Sequence, residues 1–451
     1  MTLDQILEHA DQTLDETVEL LVELIRTPTI NAGEHGPGNE TDACRVLERK
    51  LSREGIVTRI LESAPDRGNF VAHIGSGDRP RLLFMSHLDV VPVDDAEYWR
   101  YPPFSGTVAE GAIHGRGAAD CKGLAAACAM ALAILSRLKV PLSGTITMAA
   151  GADEETGGRY GFGWLARNHP HLIAADFGLN EGGGTCFQMG ERVGYIINTG
   201  EKGRLEATIT LQGRGGHAAA PWAAENPLYA LAAAIERIRA YQPEVDLSHP
   251  IFDAVRELMS EDVGRFLGVE YPALSRTERG IASSLRGASA MTITPTMARA
   301  GTKSNAIPPT AQLVCDVRTL PHQTPADVEE ILAGIFRGME GVDIQVQTTA
   351  VSSASDYPTQ FSQAVQKATA AATGRQDLLW LPGLTSGFTD SRFVRPLGAT
   401  IYGFAPQAPQ PELGGQEGVH GRDECLPIES LRTMLRTLLA VAWETGVIRD
   451  E

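Results

Sequence analysis

Residues 115–123 read GRGAADCKG and lead without a break into an alanine-rich stretch, GLAAACAMALAILSRL, from Gly123 to Leu138. A Gly-x-Gly turn that opens a helix begins like a dinucleotide fingerprint, but Asp120 stands where the third glycine belongs, and a carboxylate there would repel a pyrophosphate. The glycines let the backbone pass close to something. A carboxylate beside a metal pair and a plain helix N-cap both satisfy the pattern. Strand-like runs precede it, VTRIL (57–61), FVAHI (70–74) and RLLFMSH (81–87), and SGTITMAAG (143–151), a helix after Thr156 and DFGLN (176–180) follow. Such alternation of strands and helices predicts an α/β sheet with helices on both faces. Two helical patterns lie upstream. The first is an acidic amphipathic N-terminal helix with Leu14, Val18, Leu21, Val22 and Ile25 at helical spacing; the second runs from Thr41 to Glu54 and is stopped by Gly55.

After Gly200 the pattern changes to strand (LEATITLQG), helix (NPLYALAAAIERIRAY), two strands (MTITPTMARAG, TAQLVCDVRTL), helix (PADVEEILAGIFRGM) and strand (DIQVQTT). That order, βαββαβ, is a ferredoxin-like unit. The stretch from Gln242 to Ala290 is longer than a normal connection and is expected to hold helices of its own. From about Ser352 the chain returns to the first domain, with the helix FSQAVQKATAAATG. The expected division is therefore residues 1–200 with 352–451, and 201–351 with an insertion near 242–290. At 451 residues two domains are the better expectation than one.

A formal charge of −17 would repel nucleic-acid phosphates and anionic lipid, so neither is an expected partner. The N-terminus has no basic segment or unbroken apolar run, so no signal peptide or membrane span is expected. The six cysteines lack CxxC spacing, which argues against a disulfide framework and a cysteine zinc site and favours the cytoplasm. No Gly-x-Ser-x-Gly elbow marks a serine hydrolase.

Chemistry-bearing residues gather at strand ends. LLFMSHLDVVP closes on His87 and Asp89, which project the same way because residues two apart share a strand face. One could bind a metal while the other accepts the ring's second N–H; an ordinary turn histidine gives the same pattern. ADEETGG places Glu154 beside Glu155, and two such carboxylates pointed into a site repel each other unless cations are present. One could then be a ligand and the other a proton acceptor, although a solvated acidic turn reads alike. FGLNEGGG adds Glu181 and GVHGRDECLP adds His420. With His87, Asp120 and Glu155 these make two imidazoles and three carboxylates, a set that suits zinc, cobalt or manganese and can serve two ions if Asp120 bridges.

SHLDVVP, GRGAADCKG, ADEETGG, NEGG, GRGGHAAAP, GTKSNAIPP and VHGRDE occur in the order of a known family, over residues 15 to 440 or so. The chain resembles the aminoacylase, acetylornithine deacetylase, succinyl-diaminopimelate desuccinylase and carboxypeptidase family of co-catalytic dizinc metallopeptidases. The resemblance implies a zinc-peptidase-like catalytic domain with a central mixed sheet flanked by helices, and the ferredoxin-like unit as an inserted lid and dimerisation domain. It implies two Zn2+ per subunit, with Co2+ or Mn2+ as substitutes: His87 and Glu181 on one ion, Glu155 and His420 on the other, Asp120 between them. Asp89 would orient His87, and Glu154 would be the general base for the bridging water. The peptide after Asp120 would be cis. His217 would stabilise the oxyanion from the lid of a partner subunit, and Asn305 and Arg318 would bind the substrate carboxylate or the oxyanion. For Arg318 a surface salt bridge at a strand end is the alternative. Thr389 and Asp390 would support the active-site wall, His114 would be structural, and Cys121 would stand where many relatives carry methionine.

The expected activity is hydrolysis of the amide or peptide bond of a small N-acyl amino acid or of a dipeptide or C-terminal peptide with a free carboxylate, by a cytoplasmic homodimer. The alternatives are an acetylornithine- or succinyl-diaminopimelate-type deacylase, and a catalytically silent relative that binds or assembles.

Overall fold

A computed structural model describes residues 1–33, 38–259, 263–268, 273, 276–410 and 418–448. They fall into two compact units: Met1–Thr199 with Ser355–Gly383 and Thr389–Glu451, and Gly200–Ala354 with Leu384–Phe388.

In the first unit the main sheet runs in spatial order Val57–Glu62, Gly68–Gly75, Thr145–Gly151, Arg81–His87, Phe177–Asn180, Thr400–Gly403 and Arg192–Glu201. Its centre is parallel: Arg81–His87 lies parallel to Thr145–Gly151 and to Phe177–Asn180, which is parallel to Thr400–Gly403. The flanking pairs are antiparallel, so the sheet is mixed. Parallel strands end on the same side, and here the register sets His87 opposite Gly151. The loops that carry Asp89, Glu154 and Glu155, and Glu181 therefore leave the sheet at one edge, where open α/β sheets bind their ligands.

The helix Gly123–Arg137 fills the space beneath this sheet, with every residue from Gly123 to Leu135 buried. Its alanines let Leu14–Ile25, Glu40–Arg53 and Ile428–Glu444 pack close around it. The stretch Ala118–Arg137 is long and apolar enough in composition to cross a membrane, yet 94% of its apolar window is buried inside the unit, as in a core helix. Leu124, Leu132, Ile134 and Leu135 are all at most 2% exposed, and each contributes about 1.5–3 kcal/mol by leaving water. The single N-terminal helix read from the sequence is in fact two, Leu3–Gln12 and Leu14–Ile25. Thr13 departs from helical geometry between them, and its hydroxyl donates to the His9 carbonyl 2.9 Å away. A hydroxyl bonded back to the preceding turn competes with continued helix.

The second unit is a four-stranded antiparallel sheet in the order Thr292–Ala300, Thr310–Thr319, Gly203–Gln212, Val342–Ala350. Helices Pro227–Ala240 and Pro325–Ile335 cover one face, where Leu231, Ile238, Val328 and Leu332 meet Leu205, Ile209, Leu313 and Val317. Burial alternates along Gly203–Gln212 because only one face of the sheet is covered. This is the βαββαβ unit, and the expected inserted helices are Ile251–Met259, Val263–Gly268 and Arg276–Ser289.

Candidate metal centre

His87 ends the central strand and is 1% exposed. Its Nδ1 lies 2.9 Å from the backbone carbonyl oxygen of Asp89 and 3.5 Å from the Asp89 carboxylate, so the carbonyl is the nearer orienting group. The fully buried Asp89 carboxylate has nearer donors as well. It takes the backbone N–H groups of Glu154 and Glu155, both at 3.1 Å, and the side-chain amide of Asn31 at 2.9 Å. Asp89 thus fixes the turn that presents the two glutamates.

Asp120 faces both histidines. Its Oδ1 is 3.0 Å from His87 Nε2 and its Oδ2 is 3.2 Å from His420 Nε2. Glu181 Oε2 lies 3.5 Å from His87 Nε2, and Glu155 Oε2 lies 3.1 Å from His420 Nε2. The outcome is two groups of convergent donors that share one carboxylate: His87, Asp120 and Glu181, joined by Cys121, and Asp120, Glu155 and His420. Cys121 Sγ accepts the His87 backbone N–H at 3.1 Å, and burial pushes its thiol well up from the ordinary range. It packs as a neutral group against the strand end. The peptide between Asp120 and Cys121 is cis.

The electrostatics test whether cations fit here. Burial pushes Glu181 up to about 7, with the nearby Asp120 adding to it, and burial raises Glu155 and, much further, Glu154. Burial would raise Asp120 too, but hydrogen bonds from His420 and His87 outweigh it and hold that carboxyl well below its usual range. His420 is pushed up to about 10 by Asp120 and Glu155. Glu154 Oε1, Glu155 Oε1 and both oxygens of Asp390 are buried without a hydrogen-bond partner among the described residues. Unpartnered buried carboxylate oxygens carry a large desolvation cost, and divalent cations remove it by replacing the shared protons. Two imidazole nitrogens with carboxylate oxygens form a borderline-to-hard donor set, and the residues fit a dinuclear centre.

Several contributors escaped the sequence reading of the site. Asn31 bonds to Asp89 and reaches Asp153 at 3.3 Å, and Arg67 pairs with Asp153 at 3.1 Å and Glu40 at 3.0 Å behind the glutamate turn. Arg116 and Glu424 brace the Asp120 loop, although Glu424 lies in the same VHGRDE stretch that flagged His420. Asp390 is 2% exposed, and its carboxylate is among the charges that raise Glu154. His114 packs its ring 4.6 Å from that of Tyr101 within a small sheet.

His217, Asn305 and Arg318 all belong to the second unit. The strands Gly216–His217 and Ala306–Ile307 pair, and the Ala218 N–H donates to the Asn305 carbonyl at 3.1 Å, so His217 and Asn305 are neighbours, both exposed. Arg318 is next to last in the strand Thr310–Thr319, with its Nε 2.6 Å from Asp316 and its Nη1 3.1 Å from the Ser386 carbonyl.

The family model for peptidase family M20/M25/M40 matches residues 83–444, from the strand that ends in His87 to the C-terminal helix. The chain belongs to this family. The chain is 31% identical over 386 residues to the succinyl-diaminopimelate desuccinylase of Methylobacterium nodulans, covering 82% of this chain and 84% of that protein. To its counterpart in Parvibaculum lavamentivorans it is 26% identical over 416 residues, covering 90% and 91%. The M20 family metallo-carboxypeptidase Sso-CP2 from Sulfolobus solfataricus has the same fold, with a TM-score of 0.75, 20% identity and coverage of 96% of this chain and 100% of that one. Human carnosine dipeptidase 1 matches with a TM-score of 0.68 at 16% identity over 99% of both chains. Membership of the M20 family and the shared-carboxylate centre make this chain a metal-dependent hydrolase of small acylated amino acids or peptides.

Proposed function

We propose that the chain cleaves the amide bond of a small N-acyl amino acid or dipeptide with a free carboxylate, using Glu154 as general base. The observation that carries this reading is Asp120, whose two oxygens face His87 and His420 separately and so divide the donors into two adjoining sets. His87 and Glu181 would hold one divalent cation, Glu155 and His420 the other, and Asp120 both; zinc is the first choice, with cobalt or manganese as substitutes. Bound there, such ions supply Lewis acidity that polarises the scissile carbonyl and acidifies water. Glu154, 6% exposed and next in sequence to Glu155, has no hydrogen-bond partner for Oε1 among the described residues. It takes the proton of the attacking water and delivers it to the departing amine.

The first unit is the catalytic domain in this reading and the second the lid. His217 stabilises the oxyanion, and Asn305 and Arg318 hold the substrate carboxylate, for which the planar fork of arginine is suited. A homodimer through the second unit is supported by Thr292–Ala300, a sheet-edge strand exposed over most of its length, and by Trp222 and Tyr229, 83% and 78% exposed. Open edges and exposed aromatics are surfaces that association covers. Six cysteines without CxxC spacing support a cytoplasmic setting.

The relatives named as desuccinylases support a second reading, an N-succinyl diamino acid as substrate. A panel of N-acetyl and N-succinyl amino acids and dipeptides, assayed with zinc- or cobalt-loaded protein beside Glu154→Ala, separates the two. Turnover by wild type that vanishes in the variant, with metal retained, supports the hydrolase and identifies its branch. Metal-replete wild type that turns over no panel member would favour a silent binding relative.

A further inference from the structure

Four residues before Asp120 stands Arg116, and four residues after His420 stands Glu424; both are buried, at 3% and 1% exposure. Arg116 Nη1 donates to Glu424 Oε2 at 2.7 Å. The same carboxylate accepts three backbone N–H groups of the loop that carries Asp120: Gly117 at 3.1 Å on Oε2, and Ala119 at 2.9 Å and Asp120 itself at 3.1 Å on Oε1. Arg116 in turn donates from Nη2 to the carbonyl of Gly421, the residue after His420, at 2.9 Å. The Gly115 N–H donates to the Glu424 carbonyl at 2.9 Å, and the short strands that leave the two loops pair directly, Cys425 opposite His114.

Two loops three hundred residues apart are thus tied at one point, and each supplies a donor to the Asp120, Glu155 and His420 group. A buried ion pair brings little net stability over apolar packing, because desolvation offsets its attraction. Its benefit lies in geometry: four donors converge on one carboxylate, and that carboxylate then permits only one placement of the Asp120 backbone relative to the His420 turn.

We infer that Glu424, acting with Arg116, is a positioning residue that sets the spacing of Asp120 and His420 and thereby makes the second cation position. The inference rests on the dinuclear reading of the centre. The first group, His87, Asp120 and Glu181, shares only Asp120 with this brace, since His87 ends one sheet strand and Glu181 follows another, and these strands hold them independently. Loss of the brace therefore weakens one position selectively. A purely structural ion pair would instead lower stability and affect both positions alike.

The test is a metal titration of full-length wild type, Glu424→Gln and Arg116→Lys, stripped by chelator and titrated with Co2+, with bound metal per chain measured by elemental analysis and folding by circular dichroism. Glutamine keeps the size of the side chain, but its NH2 must face N–H donors that the carboxylate accepted on both sides. Wild type should bind two equivalents. In Glu424→Gln the first should bind within about threefold of wild type while the second weakens roughly 10- to 100-fold, the range typical of groups that orient metal ligands. Arg116→Lys keeps the charge but not the fork to Gly421, and should weaken the second equivalent less; it also decides the matter if Glu424→Gln does not fold. A second equivalent that binds both folded variants as tightly as wild type would overturn the inference, as would equal weakening of both equivalents. Wild type that binds a single equivalent would remove the dinuclear reading and this inference together.

Discussion

Around Asp120, side chains from four separated segments each come within 3.5 Å of Asp120 or of one of its neighbours, His87 buried, Glu155 and Glu181 half-buried and only His420 exposed. In the second unit, by contrast, His217 and Asn305 sit exposed on a two-residue strand pair, and Arg318 is tied to Asp316. The difference is one of cost. Gathering carboxylates in a buried place is unfavourable, so the first unit must hold them with the parallel sheet edge, the Asp89 acceptors and the Arg116–Glu424 brace. Exposed polar groups cost almost nothing to keep.

Cation removal should give the largest contrast between the regions. Chelation should abolish turnover, and it should lower the melting temperature of the first unit alone. Loss of an ion present at 100 times its Kd removes about 2.7 kcal/mol, or roughly 4 °C for a unit of this size. Calorimetry that shows equal shifts in both transitions, or none, would place the cations elsewhere. Next comes Glu154→Ala, which should reduce kcat on the order of 10³-fold while metal content stays at the wild-type level. Retained turnover would reassign the base.

His217→Ala sharpens the comparison from the other side. Its effect on kcat should be about 100-fold, that of a lost oxyanion donor, whereas its melting temperature should match wild type because the side chain is exposed. A destabilised variant would give His217 a structural role. The smallest effect is expected for Arg318→Lys, which keeps the charge and loses the bidentate fork. KM should rise roughly tenfold with kcat nearly unchanged; an unchanged KM would leave Arg318 to its salt bridge with Asp316.

Much of this architecture was legible before any tertiary contact was considered. The strands RLLFMSH and SGTITMAAG announce themselves by apolar runs that stop at polar residues, and the second unit by a clean two-residue alternation in LEATITLQG. The N-terminal break was not legible, because Leu3–Gln12 and Leu14–Ile25 carry nearly continuous helical periodicity and Thr13 interrupts them only by turning its hydroxyl back. At the site, residue type marked His87, Asp120, Glu154, Glu155, Glu181 and His420 as candidates, since carboxylates and imidazoles at apolar strand ends and in glycine-rich turns need a reason to be there.

By itself, then, the sequence determined the elements, their order and the chemical identity of the groups at their ends, because local periodicity and turn chemistry act over a few residues. Only the tertiary structure decided that Asp120 presents one oxygen to His87 and the other to His420, that Asp89 serves the Glu154–Glu155 backbone more closely than the His87 ring, and that Glu424 accepts the N–H of a residue 304 positions away. Such partnerships depend on how strands align in the sheet and which loops leave the same edge, and no periodicity along the chain records them.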